Sequence, residues 1–229
     1  MATAGQLVLD IAPPPSYAVE DYVPGTANAE ARALISELAW PKPVGVLIGE
    51  LGSGKSHLAH LFAEHSEAVH WFDGALPDSL DGQRAVIIDS LERWTGQSED
   101  ILFHTLEAAR AAQLPVLVTS REAPENLRLE RPDTVSRLRA GSRATIGQAD
   151  DTLFLAIAIK LFTDRQLMVD PAIADYLLQR MERSYANLSK LIALIDERSL
   201  AAGRSITKPL ARDVLAAYEL SQNSSTPPG

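Results

Sequence analysis

Gly49-Glu50-Leu51-Gly52-Ser53-Gly54-Lys55-Ser56 has the spacing of a P-loop, a glycine-rich turn closed by Lys and Ser/Thr. Before it, Val44-Gly45-Val46-Leu47-Ile48 is a short apolar run suited to a buried parallel strand. After it, Leu58, Leu61 and Phe62 recur at helical spacing. Strand, glycine turn and helix in that order are the context the motif requires. Gly49, Gly52 and Gly54 let the backbone wrap a polyphosphate, with Ser53 inside the same turn. The helix start aims N–H groups and positive dipole at that ligand. Lys55 is placed to neutralise β/γ-phosphates, and the Ser56 hydroxyl to ligate Mg²⁺. ATP or ADP with Mg²⁺ is the cofactor set this chemistry calls for.

On either side of this motif, strands alternate with helices. Ala68 to Phe72 reads as a second strand, and Asp81-Gly82 turns the chain into Ala85-Val86-Ile87-Ile88, a buried strand ending on Asp89. A helix is expected across Glu99 to Ala112, a strand at Pro115 to Val118, a short helix around Thr134 to Leu138, and a weaker strand at Ala144-Thr145-Ile146. Asn28 reads as the N-cap of a helix running to about Trp40, which Pro41 and Pro43 end. From Asp150 onward only helical patterns occur: 152–162, 171–181, 188–202 and 208–220. The expectation is an α/β fold, a five-stranded parallel P-loop sheet with a small all-helical lid. Its parts are a tail at 1–19, an α/β nucleotide-binding subdomain at 20–148, a helical lid at 149–220 and a disordered Ser/Pro-rich end at 221–229.

The totals narrow the partners. The chain has 229 residues, no cysteine and a formal net charge of -9. Absence of cysteine excludes disulfides and thiolate metal sites and is compatible with a cytoplasmic address. The acidic balance argues against a dedicated, sequence-specific DNA-binding surface, although a local basic patch is compatible with it. No apolar run approaches the ~20 residues of a membrane helix, and Met1 to Leu9 has no secretory signal pattern. In the tail, Gln6-Leu7-Val8-Leu9-Asp10-Ile11 alternates apolar residues after which Pro13-Pro14-Pro15 forms a spacer. By pattern alone it is either an edge strand docked on its own domain or an extended peptide read by a partner.

Asp89, after a buried strand, is placed to hold Mg²⁺ through its water shell together with Ser56. The next residue, Ser90, cannot by itself act as the base for an attacking water; Glu92 nearby is either a solvated surface carboxylate or a substitute base. Thr119 or Ser120 can hydrogen-bond a γ-phosphate or cap a turn. By spacing alone Arg137, in Ser136-Arg137-Leu138-Arg139, is a solvated surface arginine or a finger reaching a neighbouring molecule's nucleotide. His57 and His60 have no metal-type spacing and read as structural.

Asp21-Tyr22-Val23-Pro24-Gly25 through Asn28 and Ala31, Gly49 to Leu58 including Ser56-His57-Leu58, Phe103 to Leu106, Val118 to Arg121 with Pro124, and Ser136-Arg137-Leu138 together resemble the nucleotide-binding module of DnaA-type initiators in the AAA+ class. The resemblance spans about Tyr17 to Leu215 and lacks the initiator's helix-turn-helix domain. With Gln6, Leu7, Leu9 and Ile11 similar to a sliding-clamp-binding peptide, the chain resembles the Hda-type regulators that inactivate DnaA. The resemblance implies nucleotide contacts from Tyr22, Val23 and His57 beside the P-loop residues. It also implies an arginine finger at Arg137, catalytic in trans, and two partners, the DnaA initiator and the β sliding clamp of DNA polymerase III. A homo-oligomer is compatible with it. Two departures bear on catalysis: Ser90 replaces an acidic residue, and the γ-phosphate-contacting lid arginine falls on Ala186, with Arg183 three residues away. The other readings are a P-loop ATPase or helicase loader turning over its own nucleotide, and an adaptor that binds without hydrolysis.

Overall fold

The computed structural model describes residues 17–36, 40, 42–67, 69–75, 77–203 and 205–224. The Gln6–Ile11 peptide and the last five residues lie outside them. Five strands, β1 (Val44–Ile48), β2 (Val69–Trp71), β3 (Ala85–Ile88), β4 (Val116–Ser120) and β5 (Ser142–Thr145), form one sheet in the order β2-β3-β4-β1-β5. Every neighbouring pair is parallel. The central strands are apolar on both faces, as a doubly covered parallel sheet requires. Val44, Val46, Val86, Ile88, Val116 and Val118 pack on α3 (Glu99–Ala111) and on Leu138 of α4 (Pro132–Ala140). The alternate residues Leu47, Ala85, Ile87, Leu117 and Ala144 pack on α1 (Ala29–Ser36) and α2 (Lys55–Ser66).

Four further helices, α5 (Asp151–Asp164), α6 (Pro171–Leu178), α7 (Tyr185–Ala202) and α8 (Lys208–Ser224), close around their own core of Phe154, Phe162, Leu177, Leu188, Leu191 and Ile195. Asp150 caps α5 by accepting from the Leu153 N–H at 2.8 Å, and Asp170 caps α6 through the Ala172 N–H at 2.9 Å. Pro171 stands at the start of α6, where the missing N–H costs nothing.

Several boundaries differ from expectation for physical reasons. Trp40 is not in the first helix: its indole N–H donates to the Leu34 carbonyl at 2.6 Å and its ring stacks on Phe62 at 5.2 Å. A Cβ on Gly45 would sit 3.0 Å from that indole, so the glycine in β1 makes room for it. The fifth strand runs 142–145 instead of 144–146. As an edge strand paired only with β1, it turns Ala144 inward and exposes Arg143 and Thr145, so it carries no apolar run. Asn28 is not the free cap expected for α1. Its side chain, 5% exposed, accepts from the Gly25 N–H at 2.9 Å and donates to the Val23 carbonyl at 3.0 Å, fixing the Tyr22–Gly25 segment. At the other end, α8 continues through Ser221 to Ser224, residues expected to be disordered.

Candidate functional site

The P-loop joins the last residue of β1 to the first of α2. Gly52 (φ +77°) and Gly54 (φ +93°) adopt left-handed backbone that other residues avoid. Space is tight at both as well, more so at Gly52. A Cβ at position 52 would be 2.8 Å from Tyr185 Cβ, and one at 54 would be 3.2 Å from the Tyr22 ring. Lys55 is buried, and its ammonium donates to the Gly49 and Glu50 carbonyls, each at 2.7 Å. Burial lowers its pKa, while Glu92 and Asp89 act in the opposite sense. The Ser53 hydroxyl, on a residue only 8% exposed, has no hydrogen-bond partner within the protein. A buried polar atom without a partner is unfavourable unless a ligand or water completes it.

Sheet register brings the remaining polar groups alongside. Leu47 and Ile48 of β1 stand opposite Thr119 and Ser120 of β4, which separates β1 from β3. Asp89, just past β3, therefore reaches across the end of β4. The Ser56 hydroxyl lies 3.0 and 3.2 Å from its two carboxylate oxygens. The Thr119 hydroxyl donates to Asp89 Oδ1 at 2.5 Å and accepts from the Ser90 N–H at 2.8 Å. Thr119 is thus committed to holding Asp89, whereas the Ser120 hydroxyl is buried without a partner. Ser90 takes left-handed backbone (φ +60°) and supplies no carboxylate. Glu92, the candidate substitute base, is engaged by Arg121 through Nε at 3.1 Å and the backbone N–H at 3.3 Å.

Two cavities flank the loop where it meets the helical group. The larger, about 570 Å³, is lined by Tyr22, Val23, Gly52, Gly54, His57 and Tyr185, among others. Burial pushes the Tyr22 phenol well up, and its hydroxyl has no partner within the protein. The His57 ring lies edge-on to Tyr22 at 5.1 Å, and its Nε2 is 2.9 Å from the Ala18 carbonyl. The smaller cavity, about 290 Å³, brings Gly49 and Ser53 together with Arg121 and Arg183. Arg183 pairs with Asp151 at its rim. Ala186 carries no charge to the loop, but its backbone nitrogen would lie 3.2 Å from a Cβ on Gly52, so α7 begins directly over the P-loop.

Sequence reasoning missed Tyr185 and Lys160 as cavity-lining groups. Lys160 lines the larger cavity while paired with Asp21 at 3.2 Å and with Asp164. Both residues come from helices more than a hundred positions beyond the loop, where local spacing carries no information about them. Among the described residues no cluster of three or more His, Asp or Glu could hold a metal by itself, and His57 and His60 instead pack on Tyr17.

Arg137 is elsewhere. It lies near the C-terminus of α4 and borders a groove with Val44 and Val116, the first residues of β1 and β4. The P-loop follows the last residue of β1, so the two occupy opposite ends of the sheet. Glu99 fixes the start of α4: this carboxylate, on a residue 2% exposed, accepts from the Glu130 and Arg131 N–H groups at 2.7 and 2.8 Å.

Residues 159–215 match the family model described as "Hda, lid domain". Domain III of the Thermotoga maritima replication initiation protein DnaA superposes with a TM-score of 0.77 at 19% identity, covering 90% of this chain and 98% of that one. The fold is thus that of the AAA+ domain of DnaA, and the match to the Hda model is confined to the lid helices. The same fold recurs in AMPPCP-bound DnaA from Aquifex aeolicus (TM-score 0.63, 19% identity, 82% of this chain and 67% of that one). It recurs also in the Thermotoga maritima RuvB Holliday junction branch migration motor (TM-score 0.61, 16% identity, 83% and 66%). An uncharacterized protein of Haemophilus influenzae is 25% identical over 191 residues, 76% of this chain and 82% of its own. Among the described residues no helix is long and apolar enough to cross a membrane.

Proposed function

We propose that this protein binds ATP or ADP at Gly49–Ser56 and acts in trans, through Arg137, to promote ATP hydrolysis on the DnaA initiator while held on the sliding clamp by Gln6–Ile11. The observation that carries this reading is the separation of Arg137 from the chain's own P-loop, in a fold that matches DnaA and with a lid that matches Hda. An arginine that cannot reach its own nucleotide can act as a finger only on another molecule's.

The residues around the loop fit a nucleotide. Two left-handed glycines, an unpartnered buried Ser53 hydroxyl and a lysine resting on loop carbonyls are groups that a polyphosphate would complete. Lys55 would turn from the Gly49 and Glu50 carbonyls to phosphate oxygens. Tyr22, Val23 and Tyr185 would bury the base in the larger cavity. Ser56 and Asp89 would hold Mg²⁺, which when bound neutralises phosphate charge. Thr119 keeps Asp89 in place for that role, and Ser120 has a hydroxyl free to reach the phosphates. Nucleotide in this junction would set the angle between sheet and lid, and so the presentation of the whole molecule to DnaA.

Turnover of its own nucleotide is the second reading, and the Ser56–Asp89–Thr119 cluster favours it. Against it, Ser90 offers no base and Glu92 is held by Arg121. A phosphate-release assay separates the two. Release is expected to be slow for the protein alone and fast when ATP-loaded DnaA and DNA-loaded clamp are added. Equal rates with and without the partners would falsify the in-trans reading.

The clamp tether has its own test. Replacing Gln6 and Leu7 together with Ala is expected to abolish retention of the protein on immobilised clamp and leave its thermal melting unchanged. Retention that survives the double substitution assigns the peptide a different role.

A further inference from the structure

The Arg137 guanidinium is already occupied. It forms an ion pair with Glu107 of α3, and its carbon stands 5.5 Å from the Phe103 ring centroid. Its Nε is buried without a partner. Glu107 is at the same time held by Arg110, one turn along α3, through Nε at 3.4 Å and a terminal nitrogen at 3.2 Å. The Arg110 hydrogen bond, with the Arg137 charge behind it, holds the Glu107 carboxyl below the usual carboxylate range. Phe103 also stacks with Arg131, which is paired in turn with Asp100. One carboxylate is thus shared by two guanidiniums, only one of which belongs to the helix that leads into β5.

We propose that Glu107 and Arg110 form a parking site for the Arg137 side chain: Glu107 draws the guanidinium onto α3 when no phosphate faces it, and Arg110 lets it leave. The inference rests on the reading of Arg137 as an in-trans finger only for its consequence; the competition itself is a property of this chain. Arg110 makes departure easy. When Arg137 swings out to a phosphoryl oxygen, Glu107 keeps a hydrogen-bonded cation, so no carboxylate is stranded. Each side chain of the pair is about one-third exposed, so water still screens it and a doubly charged phosphate overcomes its hold. Glu107 is a positioning residue here, since it touches the finger and no reacting atom.

The competition is measurable without any partner. Phenylglyoxal modifies accessible guanidiniums, and peptide mass spectrometry resolves Arg137 from Arg143, whose own pairing with Glu125 serves as internal reference. In the intact chain, Glu107→Gln is expected to raise the modification rate of Arg137 about 1.4- to 5-fold, the range spanned by solvent-accessible ion pairs. Arg110→Ala is expected to lower it, because Glu107 is then left to Arg137 alone. General loosening of α3 would move both variants the same way. An unchanged rate in Glu107→Gln, or a shift of both variants in one direction, overturns the parking site. If the two rates diverge as expected while Arg137→Ala still stimulates hydrolysis on DnaA, the parking site stands and the finger reading fails. If the rates do not diverge while Arg137→Ala loses stimulation, the reverse holds.

Discussion

Arg137→Ala is expected to fold normally, retain nucleotide and stay on the clamp, yet lose stimulation of ATP hydrolysis on DnaA by up to ~10³-fold. The size follows from what a guanidinium does at a phosphoryl group. Positive charge and two parallel N–H donors would meet oxygens whose charge pattern changes in the transition state. Folding is expected to be insensitive because the side chain is one-third exposed and its ion pair with Glu107 has a ready replacement in Arg110. Arg137→Lys is expected to recover only a small part of the stimulation, since a point charge does not reproduce the planar fork. The measurement is single-turnover hydrolysis on ATP-loaded DnaA with clamp present. Stimulation equal to that of the unmodified protein would move the finger elsewhere, and Arg139, two positions along α4, is the first residue to examine.

The second large effect is expected at the protein's own nucleotide. Lys55→Ala should weaken ATP and ADP binding about 10- to 10²-fold, the worth of one charge-assisted hydrogen-bonding group. Without ligand the ammonium caps the Gly49 and Glu50 carbonyls. The Glu50 carbonyl also accepts from the Ser53 N–H at 3.2 Å, so the loop keeps part of its internal bonding when Lys55 is lost. The expected signature is therefore a large change in affinity, read by titration with a fluorescent nucleotide, beside a small change in the melting temperature of the ligand-free protein. Unaltered affinity would mean that phosphates do not lie on this loop. If nucleotide at the sheet–lid junction governs how the molecule meets DnaA, stimulation by Lys55→Ala should fall as well, and excess nucleotide should restore it.

Much of this molecule was legible from spacing. The strand, glycine turn and helix of Val44 to Phe62 are set by a few adjacent residues, because left-handed backbone and apolar alternation are local properties. The same holds for β3 and β4, whose residues are apolar on both faces, and for the lid helices with Asp150, Asp170 and Ser184 at their starts. Where the apolar signal thinned, spacing misplaced the boundary: β5 buries only Ala144, and Trp40 leaves its helix to cover Phe62.

By itself, then, the sequence determined the parallel P-loop sheet and the helical lid, since each depends on residues within one turn or strand of one another. Only the tertiary structure decided their company. Ser56 and Asp89 meet across 33 positions because β4 lies between their strands and Thr119 bridges the gap. Tyr185 and Lys160 join the cavity because the lid folds back over the loop. Arg137 stands at the far end of the sheet, shared with Glu107, because α4 must return the chain to the start of β5. Such meetings are fixed by register and helix packing, which no local pattern encodes.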